Sequence, residues 1–317
     1  MRVVIIGGTG HVGTYLVPRL IEAGHDVICI TRRQRDVYLP HLAWKTVQWI
    51  TADRDAEDAE HTFGQRVRAL NADIVIDMVC FTLDSAQQLV DALRGQVQHF
   101  LHCGTIWAHG PSAQVPTIET QPRRPFGNYG IQKEAIERFL LDQARRLHFP
   151  ATVIMPGHIV GKGWIPLNPA GHFNPQVFSQ LAKGKALALP NLGMETVHHV
   201  HADDVAQAFM QAIAHWNTAV GENFHTVSPA AVTLRGYAEA VADWFGQTPN
   251  LSYSPWDTWK TTVSEQDAAA TWDHIAHSPN CSIAKAQQLI GYSPRYSSLQ
   301  AVFESLTWLI EHGQLEV

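Results

Sequence analysis

Tyr129 and Lys133 are two residues whose types and spacing suit proton transfer. Four positions apart on a predicted helix, their side chains would lie on one face, one turn apart. A neighbouring ammonium favours the phenolate, so we expect Lys133 to lower the pKa of Tyr129 towards neutral pH. Only Lys45 and Lys133 occur as lysines in the first half of the chain, which makes a chance pairing less frequent. The pair predicts a general acid or base that interconverts a carbonyl and an alcohol.

Thr105 is a third candidate, because it follows an apolar run at residues 100–103 that is typical of a buried strand. Parallel sheets bind their ligands at the carboxyl ends of their strands. A hydroxyl there would donate a hydrogen bond to the substrate oxygen that Tyr129 protonates. The alternative is a hydroxyl that only caps the backbone where the strand ends.

A glycine-rich turn lies between the first apolar run and the first helical pattern, with Gly7, Gly10 and Gly13 at the spacing of a dinucleotide-binding loop. The N–H groups at the start of that helix would bind the pyrophosphate. A turn without a ligand is the alternative. We expect Pro18 to kink this helix or to restrict it to its first turns.

The end of the second apolar run concerns the choice of cofactor. An acidic residue there would hold the ribose 2′-hydroxyl of NAD, but this chain has Arg32 and Arg33 after Thr31. An arginine pairs with a 2′-phosphate, so the sequence favours NADP over NAD. Two solvated surface arginines are the alternative.

Short apolar runs alternate with helical patterns through the first half of the chain, as in βαβ units. The runs lie at residues 3–6, 27–30, 47–50, 74–76, 100–103 and 152–155, and a long helix is predicted over 126–147. The pattern predicts an α/β fold, a doubly wound parallel Rossmann sheet with a smaller mixed α/β C-terminal substrate lobe. We divide the chain into residues 1–157 and 158–317, although parts of the second segment could return to the main sheet.

The glycine spacing and the set of Thr105, Tyr129 and Lys133 resemble the extended short-chain dehydrogenase/reductases of the NAD-dependent epimerase/dehydratase type, over nearly the whole chain. The resemblance implies that Tyr129 gives or takes the hydroxyl proton, that Lys133 also binds the cofactor ribose and that Thr105 polarises the carbonyl. It also implies a homodimer. The implied cofactor contacts are Gly7, Thr9, Gly10, His11, Val12, Gly13, Arg32, Arg33, Asp53, Met78, Val79, Cys80, Tyr129, Lys133, Pro156, His158 and Ile159.

Two departures from the family bear on the substrate. Members that act on nucleotide sugars hold the diphosphate with arginines, whereas this chain has His198 and His199 near one such position and lacks the other. Ile106 and Trp107 replace the acidic pair of the 4,6-dehydratases. We therefore expect a small polyol, sugar or hydroxy-carbonyl substrate. Candidate substrate residues are Phe81, Trp107, His109, Asn168, His172, Asn174 and His274, for which loop packing is the alternative.

The glycine loop and the two arginines after Thr31 are most similar to an atypical branch that includes the chloroplast stem-loop-binding proteins, which bind RNA. The intact triad and a net charge of -6, from 23 Lys+Arg and 29 Asp+Glu, favour an enzyme over a nucleic-acid binder. An NAD(P)-dependent dehydrogenase or reductase is the first hypothesis. An epimerase with retained cofactor and a non-catalytic dinucleotide-sensing or RNA-binding relative are the alternatives.

Histidines 198, 199 and 201 suggest a metal site, but strand alternation would put His198 on the opposite face from the other two, so we expect no metal. The 4 cysteines form no CxxC pair, which favours free thiols. No apolar run reaches the ~20 residues needed to span a bilayer. The first residues lack the pattern of a signal peptide. We expect a cytoplasmic protein with a small-molecule substrate and no membrane or nucleic-acid partner.

Overall fold

The computed structural model describes residues 1–33 and 37–317, and its largest element is a seven-stranded sheet in which every neighbouring pair is parallel. The strands are β1 (Arg2–Ile6), β2 (Asp26–Thr31), β3 (Gln48–Thr51), β4 (Ile74–Asp77), β5 (His99–Cys103), β6 (Ala151–Pro156), β7 (His158–Val160), β8 (Leu187–Pro190), β9 (Thr196–Val197), β10 (His199–His201), β11 (Asn223–Thr226), β12 (Val232–Thr233) and β13 (Leu251–Ser254). The sheet order is β11-β6-β5-β4-β1-β2-β3.

Helices cover both faces of this sheet and build most of the second lobe. They are α1 (His11–Glu22), α2 (Arg54–Ala59), α3 (Phe63–Ala69), α4 (Leu83–Leu93), α5 (Gly127–Leu147), α6 (Gln176–Ala182), α7 (Ala202–Ala214), α8 (Trp216–Ala219), α9 (Leu234–Trp244), α10 (Trp256–Trp259), α11 (Glu265–His277), α12 (Ala284–Ile290) and α13 (Ser298–Glu311). Two short 3-10 helices lie at Leu42–Lys45 and Ile106–His109.

The central strands are apolar because both of their faces are covered. Val3, Val4 and Ile5 of β1 have no exposed surface. From β1 the chain moves through β2 to β3 and then crosses to β4 on the other side of β1. The order of strands therefore reverses between β1 and β4, and at such a point a crevice opens at their carboxyl ends. This crevice is where the site residues must meet.

The predicted fold class is confirmed, and the six predicted strands form the sheet together with β11. That strand comes from the second segment of the chain and pairs with β6, with Asn223 beside Val153. The division at residue 157 stays a prediction. The second lobe contains three two-stranded pairs, β10 with β7, β12 with β9 and β13 with β8. Its core contains the fully buried rings of Phe178, Tyr237 and Trp259.

The prediction that Pro18 would restrict the first helix is wrong, because α1 continues past it to Glu22. A proline inside a helix removes one N–H donor. Burial of Leu16, Val17 and Leu20, which have no exposed surface, offsets that loss. None of the helices in the described residues is long and apolar enough to cross a membrane.

Buried histidines make the fold sensitive to acid. Burial is the main cause that lowers the pKa of seven imidazoles to between about 2 and about 4, from an ordinary value of 6.5. They are His11, His99, His109, His198, His199, His225 and His274. Below pH 6.5 the unfolded chain binds protons that the folded chain does not. Stability is therefore complete above pH 6.5 and falls as the pH decreases towards 4.

We predict that the free energy of unfolding decreases as the pH falls from 6.5 towards 4, because the unfolded chain takes up protons that these buried histidines do not. Urea unfolding followed by circular dichroism at pH 7.5, 6.0 and 5.0 measures this. The midpoint should fall steeply, with a slope that corresponds to several protons. A midpoint that is unchanged between pH 7.5 and 5.0 would contradict the prediction.

Candidate active site

The glycine loop joins β1 to α1 and folds back tightly on its own backbone. Gly7 has a φ of 89°, in the left-handed region that favours glycine. A methyl group on Gly13 would lie 2.0 Å from the carbonyl oxygen of Gly8. Both positions therefore need glycine, and the turn predicted from the sequence has the tight geometry that its spacing indicated.

The first turn of α1 leaves its N–H groups free. The N-cap, Gly10, offers no side-chain hydrogen bond, and the first turn contains no acidic residue. The first helical bond runs from the N–H of Thr14 to the carbonyl of Gly10, at 3.0 Å. The N–H groups of His11, Val12 and Gly13 therefore remain available, and such a helix start binds phosphate. These residues fit the pyrophosphate of a dinucleotide.

A cavity of about 270 Å³ extends from this loop along the carboxyl ends of β1 and β2. Seven predicted cofactor residues line it, namely Gly7, Thr9, Gly10, Arg32, Arg33, Asp53 and Val79. Arg32 and Arg33 are exposed and form no ion pair with a carboxylate in the described residues. Asp53 caps α2 and accepts a hydrogen bond from the N–H of Ala56 at 3.3 Å.

Among the residues of this cavity that sequence reasoning missed are Arg54 and Trp164. Arg54 is buried, and its guanidinium donates to Asp77 at 2.7 Å. Trp164 stacks on His11, with ring centres 4.7 Å apart and planes 2° from parallel. No local spacing relates these residues to the glycine loop. The one sequence signal for either residue was that Arg54 directly follows Asp53, a predicted cofactor residue.

Thr105, Tyr129 and Lys133 converge at the end of β5, as the sequence predicted. The Thr105 hydroxyl accepts from the N–H of Trp107 at 3.2 Å and lies near the Tyr129 phenol. The buried Lys133 ammonium donates to the carbonyl of Cys103 at 2.8 Å and lies 5.9 Å from the centre of the Tyr129 ring. The Tyr129 side chain is 43% exposed, so it borders the crevice.

The expected direction of the Tyr129 pKa is wrong. Burial of the phenol, followed by the nearby Cys103 thiol, raises the pKa of Tyr129 to about 12, and the Thr105 hydroxyl offsets this only in part. The Lys133 ammonium donates to the Cys103 carbonyl. A phenol with a raised pKa is protonated at neutral pH, which suits a proton donor.

Two aromatic rings lie beside Tyr129, and neutral imidazoles lie on the far side of one of them. The Trp107 ring centre is 6.2 Å from that of Tyr129 and 5.0 Å from that of His274. Phe81 lies 6.5 Å from Tyr129, and His158 lies 5.6 Å from His274. We call this group, with Phe173, the reactive corner. It contains the predicted substrate residues Phe81, Trp107 and His274 and the predicted cofactor residue His158.

His274 has a fixed tautomer in the reactive corner. Its Nδ1 donates to the carbonyl of Ala270 at 2.6 Å, since a carbonyl only accepts. Burial lowers the pKa of His274 to about 4, which keeps the ring neutral. The Nε2 atom is therefore a hydrogen-bond acceptor, suited to a substrate hydroxyl.

The remaining predicted cofactor residues lie in or shortly after β4, β6 and β7, and for one of them the prediction fails. Met78 and Val79 follow β4, Pro156 ends β6, and Ile159 is in β7. Cys80 is the exception, because it has no exposed surface and its thiol faces the Thr82 carbonyl at 3.5 Å. The prediction that Cys80 contacts the cofactor is wrong, since the chain turns inward before α4.

His109 is also placed wrongly by the sequence prediction. Its imidazole is buried, with Nε2 2.7 Å from Nε2 of His225 and in contact with the guanidinium of Arg123. The short helix after Thr105 points Trp107 into the reactive corner and carries His109 to the other side. His109 therefore joins a polar network behind the site.

Asn168, His172 and Asn174 do not reach the reactive corner either. Asn168 has no exposed surface and binds the His172 ring and the Asn174 carbonyl. His172 and Asn174 face a separate cleft of the second lobe. In this segment Phe173 alone packs beside His158, at 5.4 Å. The prediction of Asn168, His172 and Asn174 as substrate residues is not supported at the reactive corner, and for Asn168 the alternative of loop packing applies.

The three histidines of the sequence pattern have different neighbours. His198 faces the Ser228 carbonyl, at 2.9 Å. His199 lies 5.8 Å from His158, and His201 stacks on Tyr296. Within residues 1–33 and 37–317, no group of three or more His, Cys, Asp or Glu side chains could hold a metal ion.

Comparison with known proteins adds to this geometry. The family model described as "NAD dependent epimerase/dehydratase family" matches residues 3–225. The 2'-dehydrokanamycin reductase of Streptomyces kanamyceticus is 24% identical over 325 residues, which cover 99% of this chain and 86% of that protein. The chloroplast stem-loop binding protein of 41 kDa b of Arabidopsis thaliana is 23% identical over 322 residues, covering 96% and 78%.

A solved structure with the same fold is the UDP-glucose 4-epimerase of Thermotoga maritima. It superposes with a TM-score of 0.75 at 18% identity, over 98% of this chain and 99% of that one. At this identity the likeness shows the fold alone.

Two glycine variants test the dinucleotide loop. We predict that Gly13→Ala lowers the free energy of unfolding by about 1–3 kcal/mol, because its methyl overlaps the Gly8 carbonyl. Gly10→Ala should leave stability unchanged, since only the Gly7 carbonyl lies near the added methyl, at 3.5 Å. That methyl would instead enter the cavity and weaken NADPH binding. Thermal unfolding and calorimetric titration measure both effects. Wild-type affinity in Gly10→Ala would contradict the assignment.

Proposed function

The chain belongs to the NAD-dependent epimerase/dehydratase family and is a nicotinamide-dependent enzyme, and from this premise we propose that it is an NADP-linked reductase of a small hydroxylated carbonyl compound. One observation carries the proposal. The Tyr129 phenol lies with Thr105 and Lys133 at the end of β5, where Lys133 is 5.9 Å from the centre of its ring, and Tyr129 is exposed to the crevice. Reduction of a carbonyl group needs a proton donor in the crevice where the cofactor and the carbonyl oxygen meet.

The residues around the cavity would hold the cofactor. The free N–H groups of α1 take the pyrophosphate, Asp53 takes the adenine end, and Arg32 and Arg33 pair with a 2′-phosphate. When bound, the nicotinamide supplies the hydride for reduction or accepts it in the reverse direction. The Lys133 ammonium, which has one protein acceptor, has donors left for the ribose hydroxyls.

Proton transfer is the part of the reaction that this chain performs. Tyr129 donates its phenolic proton to the carbonyl oxygen, so the product carries a new O–H bond as well as a new C–H bond. The Thr105 hydroxyl orients that oxygen by a hydrogen bond. Because the Tyr129 side chain is 43% exposed, solvent restores its proton. In the reverse direction the phenolate accepts the proton of the alcohol.

The reactive corner favours a neutral, hydroxylated substrate. Trp107, Phe81 and Phe173 offer apolar ring faces, and His274 offers an uncharged acceptor for a hydroxyl. Lys133 is the only cation whose contacts place it at these rings in the described residues, so a diphosphate would lack partners. A sugar or polyol fits this lining. The relative named 2'-dehydrokanamycin reductase supports reduction as the direction.

We predict that Tyr129→Phe lowers kcat/KM for carbonyl reduction about 10²- to 10⁴-fold, because the general acid is lost. The affinity for NADPH should stay the same. Oxidation of NADPH, followed by its absorbance over a panel of sugar and polyol carbonyls, measures the rate. Tyr253→Phe, at a partly exposed tyrosine of β13, is the matched control.

Wild-type turnover by Tyr129→Phe would overturn the catalytic assignment. Interconversion of two isomers with no net change of absorbance would show an epimerase that retains its cofactor. Salt-sensitive RNA binding without turnover would favour the non-catalytic relative.

A second prediction concerns the choice between NADP and NAD. Arg32→Ala and Arg33→Ala should each weaken NADPH binding about tenfold and leave NADH binding unchanged, because only NADPH carries the 2′-phosphate. Calorimetric titration with both cofactors measures this. Arg146→Ala, at an exposed arginine near the end of α5, removes the same charge elsewhere. An equal loss for both cofactors would contradict a 2′-phosphate contact.

A further inference from the structure

A polar cleft of about 440 Å³ lies in the second lobe between α6, β8 and the start of α11. It is the cleft that His172 and Asn174 face. Amides, hydroxyls, one imidazole and one carboxylate provide most of its polar groups. The lining residues are Ala170, His172, Asn174, Gln176, Val177, Gln180, Ala186, Leu187, Ala188, Trp259, Thr262, Val263, Ser264 and Asp267.

The imidazole of His172 is 98% buried yet keeps one ring nitrogen without a partner. Its Nδ1 accepts from the N–H of Asn174 at 3.2 Å and from the Asn168 amide at 3.0 Å. The Asn168 amide is oriented by the N–H of Ala170, which donates to its Oδ1 at 2.9 Å. The proton of neutral His172 is therefore on Nε2. That N–H has no acceptor in the described residues, and His172 is one of the residues that line the polar cleft.

Asp267 presents a carboxylate in the first turn of α11, and no cation pairs with it in the described residues. Its Oδ1 is 3.4 Å from Nδ1 of His172, but that nitrogen is an acceptor and donates nothing. Asn174 donates to Oδ2 only at a long 3.4 Å. Burial lowers the pKa of His172, so the ring is not a cation. No lysine or arginine lines the polar cleft in the part of the chain that the structure describes.

We propose that the polar cleft is a binding site for a small hydroxylated primary amine, such as an amino sugar. The ammonium would donate to Asp267, and Nε2–H of His172 would donate to a ligand hydroxyl. Gln176 and Gln180 offer further neutral donors and acceptors. The single uncompensated carboxylate favours a cation and disfavours phosphates and carboxylates. The proposal does not depend on the redox function, since it concerns binding alone.

The test compares three sugars that differ in one substituent, by calorimetric or ligand-observed NMR titration at neutral pH. Glucosamine carries an ammonium, N-acetylglucosamine carries a neutral amide, and glucose carries a hydroxyl. We expect glucosamine to bind about tenfold more tightly than the other two, because a charge-assisted hydrogen bond is the difference. Equal affinities for the three sugars would overturn the proposal.

Two variants of α11 locate the effect. Asp267→Asn keeps the shape and removes the charge, so the preference for glucosamine over N-acetylglucosamine should disappear. Asp273→Asn removes the same charge from an exposed position of the same helix and should keep the preference. If both variants keep it, the amine binds elsewhere and the proposal is wrong.

A third variant covers the case in which Asp267→Asn fails to fold. Gln180→Phe, at a half-buried position of α6 that lines the polar cleft, fills space without touching the carboxylate. We expect it to weaken glucosamine binding at least tenfold and to leave NADPH binding unchanged. Undiminished binding of glucosamine would exclude the polar cleft as the site.

Discussion

The Lys133 ammonium carries a charge where water scarcely reaches it, and the site is arranged around that constraint. Its residue is only 2% exposed, and a buried charge without hydrogen bonds is costly. The bond to the Cys103 carbonyl ties α5 to the end of β5, one residue before the loop that presents Thr105. The hydrogen bond that this buried charge needs therefore helps to bring the Tyr129 phenol and the Thr105 hydroxyl together.

Arg123 provides a second tie between the same two elements. Its guanidinium contacts Glu137, one turn after Lys133 on α5, and His109, on the short helix that follows Thr105. Glu137 also accepts from Asn223 of β11 at 2.5 Å. A strand from the second half of the chain thus reaches the helix that carries the acid. The seventh strand, β11, therefore helps to position α5 at the site.

Local pattern was enough to predict the alternating strands and helices, the glycine loop and the convergence of Thr105, Tyr129 and Lys133. These features depend on periodicity and on the position of a residue relative to the end of a strand. The errors concern contacts between distant segments. The direction in which the pKa of Tyr129 shifts depends on the groups that the fold places around its phenol and around Lys133. The position of His109 depends on its contacts with Arg123 and with β11, which is far along the chain. Neither of these features can be predicted from the spacing of residues along the sequence.

The neutral histidines of the reactive corner have a consequence for the acid. A cation near a phenol stabilises the phenolate and lowers its pKa. His158 and His274 are kept uncharged by burial, so they bind hydroxyls without adding positive charge near Tyr129. The one cation nearby, Lys133, is held by a backbone carbonyl. For the proposed reduction, an uncharged lining would serve two needs: it would accept a neutral substrate, and it would add no positive charge that favours the phenolate of Tyr129.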